Sequence, residues 1–201
     1  MKIIKINPKN PQQEVIDDAV DVLKNGGVVV YPTDTCYGFG ADMTNIFAIE
    51  KIYRIKGRKY RKPLSMIVKN IQQIEKYALI EAQQKTILGN NLPGPFTFIL
   101  LNINYRSIKQ SSLGIRIPNY PVTQAIADKF HRPYATTSAN KSGEEPCYSV
   151  SCILKQLAKN KYMPDLILDA GILPQNSPST VVSMTGEKPQ VLRSGSQKLI
   201  I

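Results

Sequence analysis

Apolar side chains recur along this chain in two rhythms, and the alternation of those rhythms predicts its elements. Ile and Lys alternate over the first six residues like a short strand. Val15, Ile16, Ala19, Val20 and Leu23 then fall on one stripe at helical spacing. Asn10 is suited to cap that helix, with Pro11 at its first position and Gln13 reaching back, and Gly26 supplies the left-handed residue that ends it. The β-branched run Val28 to Tyr31, stopped by Pro32, predicts a strand buried on both faces. A polar loop, Thr33 to Gly38, follows at that strand's C-terminal end. Ile46, Ile49, Ile52 and Tyr53 carry a second helical stripe up to Gly57, and Leu64 to Val68 read as a strand.

Further helices are expected from Ile71, from Ala82, and from Pro121 to about His131. Leu92-Pro93-Gly94-Pro95 reads as a turn. Phe96 to Ile103, Leu113 to Ile117 and Tyr134 to Thr137 read as strands, the last breaking into Ser138 to Gly143. Leu166 to Leu168, Thr180 to Ser183 and Gln190 to Leu192 complete the set. With no internal repeat and no linker, the pattern predicts one α/β domain over 1–201, built on a mixed sheet flanked by helices.

Charge changes this picture more than composition does. The 201 residues are 42% hydrophobic, enough for one sizeable core, and 26 Lys and Arg against 15 Asp and Glu give a formal +11. Such a surface attracts anions: nucleotides, pyrophosphate or RNA. The excess gathers in Lys51, Arg54, Lys56, Arg58, Lys59, Arg61 and Lys62. That run reads either as an anion site or as a solvated helix end followed by a basic turn. No run is apolar and long enough for a membrane span, and the Lys-interrupted start does not fit a signal peptide, so a soluble cytoplasmic protein is expected. The odd cysteine count, Cys36, Cys147 and Cys152 without CxxC spacing, suggests reduced thiols.

The single histidine, His131, falls at a predicted helix end, which argues against histidine triads and multi-histidine metal sites. Neither a Walker loop nor a Rossmann fingerprint is present. Candidate chemistry therefore rests on three hydroxyl-rich loops after strands, Thr33 to Gly38, Ser138 to Gly143 and Ser177 to Thr180, together with Lys56-Gly57-Arg58. Each loop alone is an ordinary turn; together their donors could converge on phosphate or carboxylate oxygens.

These segments, read in order, resemble the threonylcarbamoyl-adenylate synthases built on the YrdC-like domain. The resemblance runs from Gly26 to Gly195 and rests on Gly27 to Gly38, on Lys56-Gly57-Arg58 with Lys62-Pro63-Leu64, and on Pro93-Gly94-Pro95. It continues through Gly114 to Pro118, Thr137 to Gly143, Pro178 to Val182 and Leu192 to Gly195. It implies a twisted mixed sheet around a large, positively charged concave cleft, in the short single-domain form. It also implies a reaction in which L-threonine, bicarbonate and ATP give threonylcarbamoyl-AMP and pyrophosphate, for a downstream transferase that modifies tRNA. By the same resemblance Thr33, Arg116 and Ser179 hold L-threonine, with Arg116 as a two-point clamp on its carboxylate. Lys56 and Arg58 are the catalytic cations facing the triphosphate. Ser112, Thr136, Ser138, Asn140 and Arg193 complete the ATP site, and Mg2+ is expected only as ATP's companion, with no metal ligand assigned. Two departures stand out: Lys59 where relatives often place Pro, which bears on Tyr60 and Ser65, and Cys147-Tyr148 after Pro146 where small hydroxyl residues are common. The alternatives are an RNA-binding module using the basic surface, and another carbamoyl-handling or hydrolytic enzyme on the same fold.

Overall fold

In a computed structural model, which describes residues 1–58, 63–104, 108 and 110–201, the strands join into one ten-stranded mixed sheet. The strands are β1 (Lys2–Lys5), β2 (Val29–Pro32), β3 (Tyr37–Asp42), β4 (Ser65–Ile67), β5 (Phe96–Leu101), β6 (Ser112–Arg116), β7 (Tyr134–Ser138), β8 (Leu166–Asp169), β9 (Thr180–Ser183) and β10 (Gln190–Arg193). Their spatial order is β1-β8-β2-β3-β7-β4-β6-β5-β9-β10. Pairs β1 with β8, β2 with β8, β4 with β6 and β5 with β9 are parallel, and the others antiparallel. The helices are α1 (Gln13–Lys24), α2 (Ile46–Lys56), α3 (Ile71–Ile74), α4 (Ala82–Asn91), α5 (Pro121–Phe130) and α6 (Val150–Leu157).

Two apolar clusters, one on each side of the sheet, hold it in place. Val29 and Tyr31 pack with Ile16, Leu23 and Ile126 of α1 and α5, while Val28 and Val30 join Phe39, Ile52, Met66 and Phe98. The strand predicted at Val28 to Tyr31 is thus buried on both faces, as its unbroken β-branched run requires. Asn45 starts α2 by accepting from the amides of Phe47 and Ala48, at 3.1 and 3.2 Å.

Four local expectations are corrected. Helix α1 begins at Gln13 with Gln12 as its cap residue. Asn10 instead donates its amide to Asn7 Oδ1 (3.1 Å), and Gln12 Oε1 accepts from the Asn7 amide (3.0 Å), so a side-chain-closed turn occupies the place assigned to the cap. The loop read at Thr33 to Gly38 ends earlier, since Tyr37 opens the fully buried strand β3, whose two glycines hide its strand character. A Cβ at Gly40 would lie 2.6 Å from Tyr31 Cε1, so only glycine lets that ring cross the neighbouring strand. Helix α6 was not expected. Ser149 caps it by accepting the Cys152 amide (3.3 Å). That turn brings Cys152 to Cys147, their Cα atoms 5.5 Å apart, and the two form a disulfide where reduced thiols were expected. Cys36 is free.

Candidate anion site

Seven strands and four loops line a cavity of about 410 Å³. Its floor follows from strand register. Thr136 of β7 lies opposite Ser65 of β4, Ser65 opposite Gly114 of β6, and Gly114 opposite Ile99 of β5. Side chains in register share a sheet face, so Thr136, Ser65 and Gly114, all small, leave a hollow beside Ile99. Gly114 is already close-packed, because an added Cβ would lie 2.8 Å from Ser65 Oγ. Thr97 and Val181, paired across β5 and β9, extend the floor.

The walls carry the charge. Arg58, Arg116 and Arg193 line the cavity together with the hydroxyl residues Thr33, Thr35, Ser112, Thr137, Ser138 and Ser179, and no carboxylate lines it among the described residues. Gly57 caps α2 in the left-handed conformation (φ 59°), and this turn carries the chain out of the helix so that Arg58 reaches the wall. There Arg58 donates to Thr137 Oγ1 (3.3 Å) and to the Pro63 carbonyl (3.1 Å), while its buried Nε has no partner. Burial pulls its pKa below the ordinary arginine value, a sign of a cation short of water.

Arg116 ends β6 two residues after Gly114, on the same face. Its Nη2 donates to Asp34 Oδ1 at 2.8 Å, with both side chains 11% exposed. Burial raises the pKa of Asp34 and the Arg116 charge opposes the rise. Arg116 Nε is buried without a partner. Arg193, opposite Val181 in the β9–β10 pairing, clasps Ser179: Nε and Nη2 donate to its carbonyl (3.1 and 2.8 Å) and Nη2 to its hydroxyl (3.0 Å). Burial, and then the like charge of Arg116, lower the pKa of Arg193. Ser179 Oγ also pairs with Thr97 Oγ1 (2.9 Å).

Of the residues singled out in the sequence, Thr33, Arg58, Ser112, Arg116, Thr136, Ser138, Ser179 and Arg193 meet at this one cavity. Some of their polar groups already serve the fold. Thr33 Oγ1 donates to the Cys36 carbonyl (2.7 Å) and accepts the amides of Thr35 and Cys36 (3.1 and 3.2 Å), tying its own loop. Thr136 Oγ1 accepts from the buried Tyr31 hydroxyl (2.8 Å).

Lys56 and Asn140 differ from expectation, for neither is among the residues lining the cavity. The Lys56 side chain, in a residue 3% exposed, points behind the wall to the Ser138 carbonyl and to Asn140 O and Oδ1, the latter two at 2.9 and 3.1 Å. The helix that delivers it ends facing the Ser138–Asn140 turn instead of the opening. Within the basic run, Lys51 pairs with Asp165 (2.6 Å), and Arg54 with Glu50 (3.5 Å) and the face of Tyr162 (5.5 Å), so these two are engaged in the surface of the fold. Lys59, Tyr60, Arg61 and Lys62 lie outside the described residues.

Other lining residues carry no sequence signal of their own. Tyr148 and Asn176 close one side, with Asn176 Nδ2 donating to the Asp34 carbonyl (2.9 Å), and Thr97 enters from mid-strand. Cys36 also lines the cavity, its thiol pKa raised by burial. No group of three or more His, Cys, Asp or Glu is placed to hold a metal among the described residues. With no carboxylate on the walls among the described residues, the lining does not fit a protein-held divalent ion.

Fold and cavity together define an α/β protein with an arginine- and hydroxyl-lined cavity on the face of a mixed sheet. A family model described as "Telomere recombination" and labelled Sua5, YciO and YrdC matches residues 21–195. The chain belongs to this Sua5/YciO/YrdC family. It is 32% identical to the uncharacterized protein YciO of Escherichia coli over 195 residues, 94% of this chain and 93% of that one. It is also 32% identical to the threonylcarbamoyl-AMP synthase of Psychromonas ingrahamii over 185 residues, 88% of this chain and 96% of that one. The crystal structure of E. coli YciO superposes with a TM-score of 0.87 over 98% of both chains. That of P. abyssi Sua5 complexed with L-threonine superposes at 0.88 with 26% identity, covering 97% of this chain, which spans 58% of the Sua5 chain. No helix among the described residues is long and apolar enough to cross a membrane.

Proposed function

We propose that this protein is a threonylcarbamoyl-AMP synthase, condensing L-threonine, bicarbonate and ATP with release of pyrophosphate. The observation that carries the reading is the lining of the cavity: arginines 58, 116 and 193 with a floor and rim of hydroxyls, and no carboxylate among the described lining residues. The reactants suit such a lining, since ATP, bicarbonate and the threonine carboxylate are all anions that repel one another in water. Fixed cations on a low-dielectric wall offset that repulsion and hold the three in reacting geometry.

In this reading Arg116, aligned by Asp34, receives the threonine carboxylate, with Thr33 and Ser179 at the same end. Threonine's amine and bicarbonate combine to a carbamate with loss of water. A carbamate oxygen then attacks the α-phosphorus, and the bond to the β-phosphate oxygen breaks as pyrophosphate leaves. Arg58 and Arg193 would neutralise charge growing on that leaving group, and Ser112, Thr136 and Ser138 would offer hydroxyls to the nucleotide. Magnesium would arrive on the triphosphate, held by its oxygens. The product would pass to the transferase that modifies tRNA, in the cytoplasm. The test is pyrophosphate release from the purified protein, expected only when ATP, bicarbonate and L-threonine are all present. ATP turnover at equal rate without threonine would replace the synthase reading with a hydrolase.

A further inference from the structure

We infer that Lys56 is a positioning residue, an internal cation that folds the Ser138–Glu144 segment into the cavity wall and does not itself touch the bound anion. An ammonium has three hydrogens to donate. Those of Lys56 have three acceptors, the Ser138 carbonyl, the Asn140 carbonyl and Asn140 Oδ1, and neither Lys56 nor Asn140 is among the residues lining the cavity. A phosphate oxygen would find no hydrogen left. These acceptors carry partial negative charge, and they converge on one buried point because a cation sits there. Without it, carbonyl oxygens would face one another unpaired.

The neighbouring bonds extend the same knot. Asn140 Oδ1 also accepts from the Ser138 hydroxyl, and Asn140 Nδ2 donates to the carbonyls of Lys141 (3.0 Å) and Glu144. The Ser142 amide donates back to the Lys56 carbonyl at 2.8 Å, and the Glu144 amide to the Lys141 carbonyl at 3.0 Å. What the cavity receives from this segment is Ser138, beside Thr137 and the guanidinium of Arg58. Lys56 therefore acts on the ligand through Ser138, and Asn140 is the core of the turn. Burial, and then the charge of Arg58, draw the Lys56 pKa down, which marks a side chain withdrawn from water, and the three acceptors work against that fall.

The test uses amide hydrogen exchange on the full chain without ligand, comparing wild type with Lys56→Met, which keeps most of the stem. The Ser142 and Glu144 amides should exchange about tenfold to a hundredfold faster in the variant, the scale expected when charge-assisted bonds are lost, while β5 amides keep their rates. Unchanged exchange at both amides would overturn the inference. If the variant does not fold, nitrogen-15 spectra of the wild-type lysine ammonium groups decide: a slowly exchanging Lys56 signal is expected, and exchange as fast as that of surface lysines contradicts it. The consequence for nucleotide rests on the proposed function and has its own readout. ATP affinity of the Lys56→Met, Asn140→Ala double variant should match the weaker single variant within about twofold, as expected of two residues acting through one turn. Losses that multiply would mean that Lys56 contacts the ligand. Faster exchange in Lys56→Met, alongside a wild-type chain that binds no ATP, would sink the synthase reading while leaving this placement intact.

Discussion

Replacing Arg116 by Lys keeps a positive charge at the end of β6 but removes the planar fork. In the structure one arm of that fork is held by Asp34 at 2.8 Å, both side chains being 11% exposed. Lys has a single nitrogen for two tasks, so it can hold Asp34 or meet a substrate carboxylate, and cannot grip both with fixed geometry. Hydrogen bonds between charged groups in such surroundings contribute about 1.5–3 kcal/mol each, and losing one should weaken L-threonine binding by about 1–3 kcal/mol. ATP affinity should hardly move, because Arg58 and Arg193 keep their bonds to Thr137, Pro63 and Ser179. Lys is the right substitution because deleting the cation outright would strand Asp34, at a cost of about 3–5 kcal/mol for a broken buried pair. Calorimetric titration of each ligand into the folded variant measures the split. Asp34→Asn should show the same pattern, since it releases the arm that orients the fork. Native threonine affinity in Arg116→Lys would refute the clamp and leave the ion pair as a purely structural feature.

Three other outcomes follow from the geometry. Arg58→Ala should slow pyrophosphate release by about 10²–10³-fold, as when one preorganised transition-state donor is lost; normal turnover in a folded variant would remove Arg58 from the chemistry. Gly40→Ala should destabilise the fold by about 1–3 kcal/mol through overpacking, because the new Cβ meets Tyr31 Cε1 at 2.6 Å and the ring is fixed by Tyr134 and Thr136. An unchanged urea midpoint would contradict that packing. The third concerns pH. Burial, and then the charge of Arg58, draw the Lys56 pKa down to about 7 from an ordinary 10.5, so between those values the unfolded chain binds more protons. Its contribution to stability therefore rises with pH across that window and is lost as pH falls back through it. Lys56→Met should flatten the slope, and a slope equal to wild type's would show that the ammonium is not desolvated.

Much of this fold is written in the spacing of apolar residues. The stripe from Val15 to Leu23 is the buried face of α1, and Val28 to Tyr31 is buried in a central strand because β-branched residues leave no polar side for water. The misses share a cause: the deciding contacts are distant in sequence. Tyr37-Gly38 reads as the end of a loop until Tyr31 and Thr136 arrive beside it, and Ser149 looks like any serine until Cys147 closes on Cys152. The site divides in the same way. Hydroxyl loops and arginines marked most of the lining, but which face of a turn a side chain takes depends on what lies behind it. Lys56 and Arg58 are two residues apart, yet Lys56 meets the carbonyls of Ser138 and Asn140 while Arg58 faces the cavity. Thr97, Tyr148 and Asn176 join the lining only through the sheet order and the packing of the loops.

The central claim is that one arginine-lined cavity brings three anions into reaction, and the product itself tests it most directly. Purified protein incubated with ATP, bicarbonate and L-threonine should yield threonylcarbamoyl-AMP, identified by mass spectrometry together with an equal amount of pyrophosphate. The yield should vanish when threonine or bicarbonate is withheld. Pyrophosphate or AMP formed without the adduct, or no turnover by a folded protein that binds ATP, would contradict the account.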